Sequence, residues 1–257
     1  MNSNVGSPFF ADFNINNDLD WQMSRAEKYC IINLLQFLKP DVSVEIGTFK
    51  GGSLQVINEY SKNVYSIDIS EAPKNFLQDK FPNVHFKVGE SNLILERIFK
   101  EIENNNQKLE FILVDGDHSK LGVKLDLEAI LAYPHKNKVT ILLHDSFNPQ
   151  SRSGIKSLNY TNYKKVSYVE LDYITGSFWH NKSYREMWGG FAMIIVDPNN
   201  KEGILQMNSQ EHLFRRAYMS SIHLIKDPFH FLVPMKQKLF KRLGIKQKID
   251  IYTDFED

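Results

Sequence analysis

The stretch "FILVDGDHSKLG", residues 111–122, runs from an apolar segment straight into Asp115, Gly116, Asp117 and His118. Carboxylates and an imidazole at that spacing are groups that hold a hard cation or move a proton near neutral pH. Further on, "VTILLHDSF" delivers His144, Asp145 and Ser146 from the end of another apolar run. A third cluster, "VEIGTFKGGS", contains Glu45, Gly47, Thr48, Gly51, Gly52 and Ser53. Its glycines allow a sharp turn and a close approach of backbone to ligand. Asp68 follows at about the twenty-residue interval where a nucleotide-binding α/β unit keeps the carboxylate that accepts from ribose hydroxyls.

The glycine loop excludes two common ligands. The pyrophosphate fingerprint G-x-G-x-x-G fails because Thr48-Phe49-Lys50 follows Gly47, and no Gly-Lys-Ser/Thr follows Gly51, so a P-loop fails too. What remains is E-x-G-x-x-x-G, the pattern of loops that hold S-adenosylmethionine. That ligand carries no phosphate, and its sulfonium and amine tolerate a nearby acid. An ordinary β–α turn with glycines for packing reads from the same residues.

These groups need elements to position them. Strands are expected in "VSVEI", "NVYSIDI", "VHFKV", "LEFILVD" and "KVTILLHD", and helices in "SLQVINEYS", "APKNFLQDKF", "NLILERIFKEIEN" and "KLGVKLDLEAILAY". The last of these helices can place Leu121, Val123, Leu127 and Leu131 on one face. A further helix is expected within Trp21–Leu38, stopped by Pro40. Five strands interleaved with helices predict an α/β fold, a doubly wound Rossmann-like sheet, mostly parallel, with helices on both faces. Right-handed crossovers would put the C-terminal strand ends on one edge, where Asp115 and Asp145 would converge. Two such carboxylates repel unless a cation or proton lies between them. Two late strands, "VSYVELDY" and "GGFAMIIVDP", supply an antiparallel member. The expected organisation is an irregular arm at 1–20, one cofactor-binding domain at 21–200 and a helical C-terminal extension at 201–257.

The segments "VSVEIGTFKGGSLQVI", "VYSIDIS", "HFKVGES", "FILVDGDHSKLGVKLDLEAI" and "VTILLHDSF" together resemble the successive motifs of class I S-adenosylmethionine-dependent methyltransferases. The resemblance is nearest to the branch of macrocin O-methyltransferase-like and cephalosporin hydroxylase-like proteins, and covers roughly residues 25 to 196. It implies an S-adenosylmethionine site at Glu45, Gly47, Thr48, Gly51, Ser53, Asp68, Glu90, Ser91 and Asp115. It also implies a divalent metal, Mg²⁺ by default, on Asp115, Asp145 and one neighbour, His144 or Ser146. Relatives usually supply a second carboxylate at that neighbour, and an imidazole would shift the preference toward Mn²⁺ or Fe²⁺. His118 takes the place of the general base that removes a proton from a sugar hydroxyl.

Bland readings stand beside these. His118 also reads as a loop or helix-capping histidine and Asp117 as a helix cap. Glu90 and Ser91 read as the turn into the next helix, and Asp126 and Glu128 as solvated helix residues. Lys plus Arg equals Asp plus Glu at 31 each, so no global field draws the chain to nucleic acid. Cys30, a single cysteine, fits the core of a chain in a reducing compartment. The start has neither a basic n-region nor an apolar h-region, and no apolar run reaches the ~20 residues of a span, so a cytoplasmic location is expected. "GSFWHNKSYREMWGG", with Phe178, Trp179, Tyr184 and Trp188 among His180, Lys182 and Arg185, suits a ring-shaped small-molecule acceptor or a subunit contact in a homo-oligomer. The basic tail "FHFLVPMKQKLFKRLGIKQK" reads as an amphipathic helix on its own domain, or against a membrane surface or partner. The function expected is metal-assisted O-methylation of a small-molecule hydroxyl, a sugar or glycosylated precursor first. A metal-dependent oxidative enzyme and a non-catalytic cofactor-binding subunit are the alternatives.

Overall fold

The computed structural model of the chain describes residues 15–16, 18–180 and 185–243. Its core alternates strands and helices: α1 (Arg25–Leu38), β1 (Val42–Ile46), α2 (Leu54–Tyr60), β2 (Asn63–Asp68), α3 (Ala72–Leu77), β3 (Val84–Val88), α4 (Ser91–Asn104), β4 (Leu109–Val114), α5 (Lys120–Ala132) and β5 (Val139–His144). Beyond β5 come α6 (Pro149–Lys156), β6 (Val166–Ile174), a hairpin of β7 (Ser177–His180) and β8 (Arg185–Trp188), then β9 (Phe191–Val196) and β10 (Gln206–Asn208). Helices α7 (Glu211–Met219), α8 (His223–Lys226) and α9 (Val233–Arg242) follow. The expected α/β fold is therefore present, and α6, the β7–β8 pairing and β10 are additions to it.

The main sheet has the order β10-β6-β9-β5-β4-β1-β2-β3. β1 through β5 pair in parallel, while β9 runs antiparallel between β5 and β6. Alternation along each strand sends side chains to two separate cores. Ile112, Val114, Ile141 and Leu143 face α4, α5 and α6, in company with Leu95, Phe99, Leu127 and Ile155. Phe111, Leu113 and Leu142 face α1, α2 and α3, in company with Ile31, Leu35, Ile57 and Leu77. Cys30 belongs to this second core, and burial pushes its thiol up to about 12.

Two expectations about α5 are corrected. Leu121 is largely exposed, because it sits in the first turn on the side away from the sheet. Asp126 is buried rather than solvated; its carboxylate accepts the Ser91 hydroxyl, and burial raises it to about 6. Of the arm expected at 1–20, residues 1–14 and 17 lie outside the described residues, as do Lys182 and Tyr184 of the aromatic segment. Leu19 and Trp21, just before α1, are buried against the second core.

Candidate active site

The parallel strands β1, β2, β4 and β5 end on one edge. The strand order reverses between β1 and β4, the crevice where open α/β sheets bind ligands. Both sides of the crevice carry expected residues. Gly47, just past β1, has φ +90, and a Cβ on it would lie 2.0 Å from the Asp115 carbonyl oxygen. Only glycine permits that backbone to cross so close to the end of β4.

The loop after Gly47 is organised by Asp68. Its carboxylate accepts the N–H groups of Thr48 at 3.1 Å and Phe49 at 3.3 Å, and that of Ser70 at 3.0 Å. Gly51 closes the turn by donating to the Thr48 carbonyl. Glu45 and Ser53 lie beneath the loop. The Glu45 carboxylate, fully buried, accepts from the Ser53 hydroxyl at 2.6 Å and the Ser66 hydroxyl at 2.8 Å. Burial outweighs those bonds, and the nearby Asp115 and Asp68 charges add to it, so the Glu45 pKa rises to about 8. Glu45 thus props the glycine turn from below. Glu90 is the exposed residue preceding α4 and makes no capping bond through its side chain. Ser91 turns toward Asp126 instead of capping the helix.

Across the crevice, Asp115, His118, His144 and Asp145 come together. One ligand-type atom from each of Asp115, His144 and Asp145 lies within 4.8 Å of the others. His144 Nδ1 lies 2.9 Å from Asp115 Oδ1 and 3.8 Å from Asp145 Oδ2. Asp145 sits at φ +55, a left-handed conformation that aspartate tolerates better than most residues. There its carboxylate accepts the Gly189 N–H at 2.5 Å and lies 2.7 Å from His118 Nδ1. Ser146 is buried, with its N–H donating to the Gly190 carbonyl. Asp117 accepts from the Ser119 N–H and hydroxyl, and Ser119, rather than Asp117, caps α5.

The electrostatics follow from this packing. Burial opposes charge on His144, but Asp115 and Asp145 together with the bond to Glu27 lift its pKa well above the ordinary value. Burial likewise works against a charged His118, yet the bond and charge of Asp145 outweigh it and raise its pKa. Asp145 pays a burial penalty of its own, which the His144 and His118 charges overcome, and its pKa falls to about 2.

Glu27 is a site residue that the sequence reading missed. It lies in the first turn of α1, nearly fully buried, and accepts the N–H groups of Gly190 and Ser24. His144 Nε2 lies 3.3 Å from its Oε1. The local signal was there: Ser24 and Glu27 form a reciprocal capping box. That pattern announces a helix start, and nothing in it tells of a histidine 117 residues away. Gly189 and Gly190 were missed for the same reason. A Cβ on Gly189, at φ +76, would lie 2.6 Å from Glu27 Oε1. Trp188 completes this side, its ring edge-on to His118 with centroids 5.9 Å apart.

Residues 44–146 match the model of a family described as a methyltransferase domain. No curated protein matches the chain. Among solved structures, the O-methyltransferase from Bacillus cereus in complex with S-adenosylhomocysteine superposes with a TM-score of 0.50 at 18% identity, covering 70% of this chain and 86% of that one. The O-methyltransferase TomG from Streptomyces achromogenes, solved with S-adenosylmethionine, gives 0.46 at 14% identity, covering 70% and 82%. At such identities the likeness is one of fold.

Proposed function

We propose that this S-adenosylmethionine-dependent methyltransferase transfers its methyl group to a hydroxyl oxygen of a small molecule, a sugar or glycosylated precursor first, with a divalent cation held by Asp115, His144 and Asp145. The observation that carries the reading is the convergence of those three donors at the switch point, one loop away from Gly47 and Asp68. The donor set fits a cation: two carboxylates and one imidazole on one side leave positions open for water or substrate. The second ring nitrogen of His144 faces Glu27, the carboxylate–histidine–metal arrangement that orients an imidazole ligand. Two oxygen donors suit Mg²⁺, and the nitrogen extends the range to Mn²⁺ or Fe²⁺.

When bound, the cofactor supplies an electrophilic methyl group and the cation lowers the pKa of the acceptor hydroxyl. The chain's residues do the rest. Gly47, Thr48 and Gly51 shape the wall of the cofactor pocket, Glu45 and Ser53 hold that wall from below, and Asp68 stands where ribose hydroxyls would be met. Glu90, at the start of α4, would meet the adenine end of the cofactor, with Ser91 beside it held by the Asp126 carboxylate. Asp145 accepts from His118 Nδ1, which fixes the tautomer and leaves Nε2 to take the hydroxyl proton. Trp188 and the β7–β8 hairpin offer aromatic surface to a ring-shaped acceptor.

Calorimetric titration of the full chain with S-adenosylhomocysteine, then with Mn²⁺, tests both halves. One site for each is expected, with methylation of hydroxyl acceptors lost on chelation and restored by the cation. Failure to bind S-adenosylhomocysteine overturns the cofactor site. Binding without any response to Mn²⁺ or chelator overturns the metal.

A further inference from the structure

The chain is neutral overall, yet its charge is not evenly spread. Residues 211–243 contain seven Lys and Arg against two acids, Glu211 and Asp227. The same segment leaves large apolar side chains uncovered. Phe231 is 69% exposed, Met235 66%, Leu239 54% and Leu243 62%. Met235, Leu239 and Leu243 recur every four residues, so at 3.6 residues per turn they share one side of α9 and its C-terminal end. Lys238 lies off that stripe and Arg242 borders it, two turns on from Met235, where long basic stems can reach past an apolar surface to charges beyond it. Just upstream in sequence, Ile225 and Phe229 are exposed as well. Helix α7 also buries none of its residues. Among the described residues no helix is long and apolar enough to cross a membrane.

We infer that α9 and the turn before it form a docking surface for an anionic lipid bilayer. An apolar stripe with flanking cations matches a bilayer boundary: side chains enter the acyl region while basic groups meet the lipid headgroups. Charge complementarity selects this occupant. A second copy docking through the same face would bring an equally basic surface to α9, and like charges would oppose that symmetric contact. An anionic leaflet attracts each Lys or Arg near it and receives the apolar stripe at the same time. The inference is independent of what the crevice binds.

Sedimentation of the full chain with vesicles tests it. Two compositions serve, phosphatidylcholine alone and phosphatidylcholine mixed with phosphatidylglycerol. Partition onto the mixed vesicles and not onto the neutral ones is expected, weakening as salt rises. Lys238→Gln should reduce partition roughly fivefold, and adding Arg242→Gln should multiply the loss. Met235→Glu with Leu239→Glu should abolish it, with the melting temperature of the chain unchanged because the stripe is already exposed. No partition onto the anionic vesicles overturns the inference. So does equal partition by wild type and all variants, or a lipid-free dimer in light scattering that the glutamate pair dissolves.

Discussion

At the scale of single residues, two titratable groups on opposite sides of the crevice do different work, one in the chemistry and one in stability. His118, held by Asp145 at 2.7 Å, is the base in the proposed reaction. His118→Ala should lower turnover by roughly 10²–10⁴-fold while S-adenosylhomocysteine binds as before, because the imidazole lies across the crevice from the glycine loop. Normal turnover in a methyl-transfer assay would remove it from that role. Glu45 acts on stability instead. Its pKa is raised from 4.5 to about 8, so between those values the unfolded chain has released a proton that the folded chain keeps. Stability therefore falls as pH rises through that window, at up to ~1.4 kcal/mol per pH unit. Glu45→Gln should flatten the decline, as urea titrations across the window would read. Asp115, His118 and Asp145 were legible because their residue types and their places after apolar runs are local facts. Glu45 was legible as part of a loop motif, but its depth was not, since burial depends on Ser53 and Ser66 closing over it.

At the scale of elements, the site is a meeting of turns that are far apart in sequence. The five parallel strands and their helices could be read from alternating apolar runs, because each buries faces that local periodicity encodes. The β7–β8 hairpin carries a weaker signal, with polar and aromatic residues mixed along it. The contribution of α1 was hidden altogether. Glu27 joins the start of that helix to the Gly189–Gly190 turn and to His144, and no spacing rule connects those three places. Glu27→Gln keeps the size of the side chain but removes the charge that orients the imidazole. Mn²⁺ affinity measured by calorimetry should drop about 10–100-fold, with S-adenosylhomocysteine affinity kept. Unchanged Mn²⁺ affinity would leave Glu27 with its structural bonds to Ser24 and Gly190 alone.

At the scale of the molecule, the C-terminal segment is tied back to the sheet through a buried ion pair. Arg152 on α6 meets Asp172 of β6 through two nitrogens, at 2.6 and 3.1 Å, and reaches Glu211 of α7 at 3.0 Å. The Phe214 ring lies against the same guanidinium, 4.2 Å from its carbon. Arg152→Ala would leave Asp172 buried without its cation, a loss on the order of 3–5 kcal/mol in a denaturant titration. A loss below about 1 kcal/mol would mean that water reaches Asp172 freely. This connection also escaped the sequence reading, since an arginine in a short polar helix gives no sign of a partner fifty-nine residues on.

The placement of β9 has a consequence for how the chain is made. Because β9 lies between β5 and β6, the outer edge of β5 stays open while the ribosome adds some fifty further residues. Gly189 and Gly190, which anchor Asp145 and Glu27, arrive with that same closing strand. A nascent polypeptide that has emerged only as far as β6 thus holds an unsatisfied row of amides and carbonyls at the middle of its future sheet, a template for mispairing.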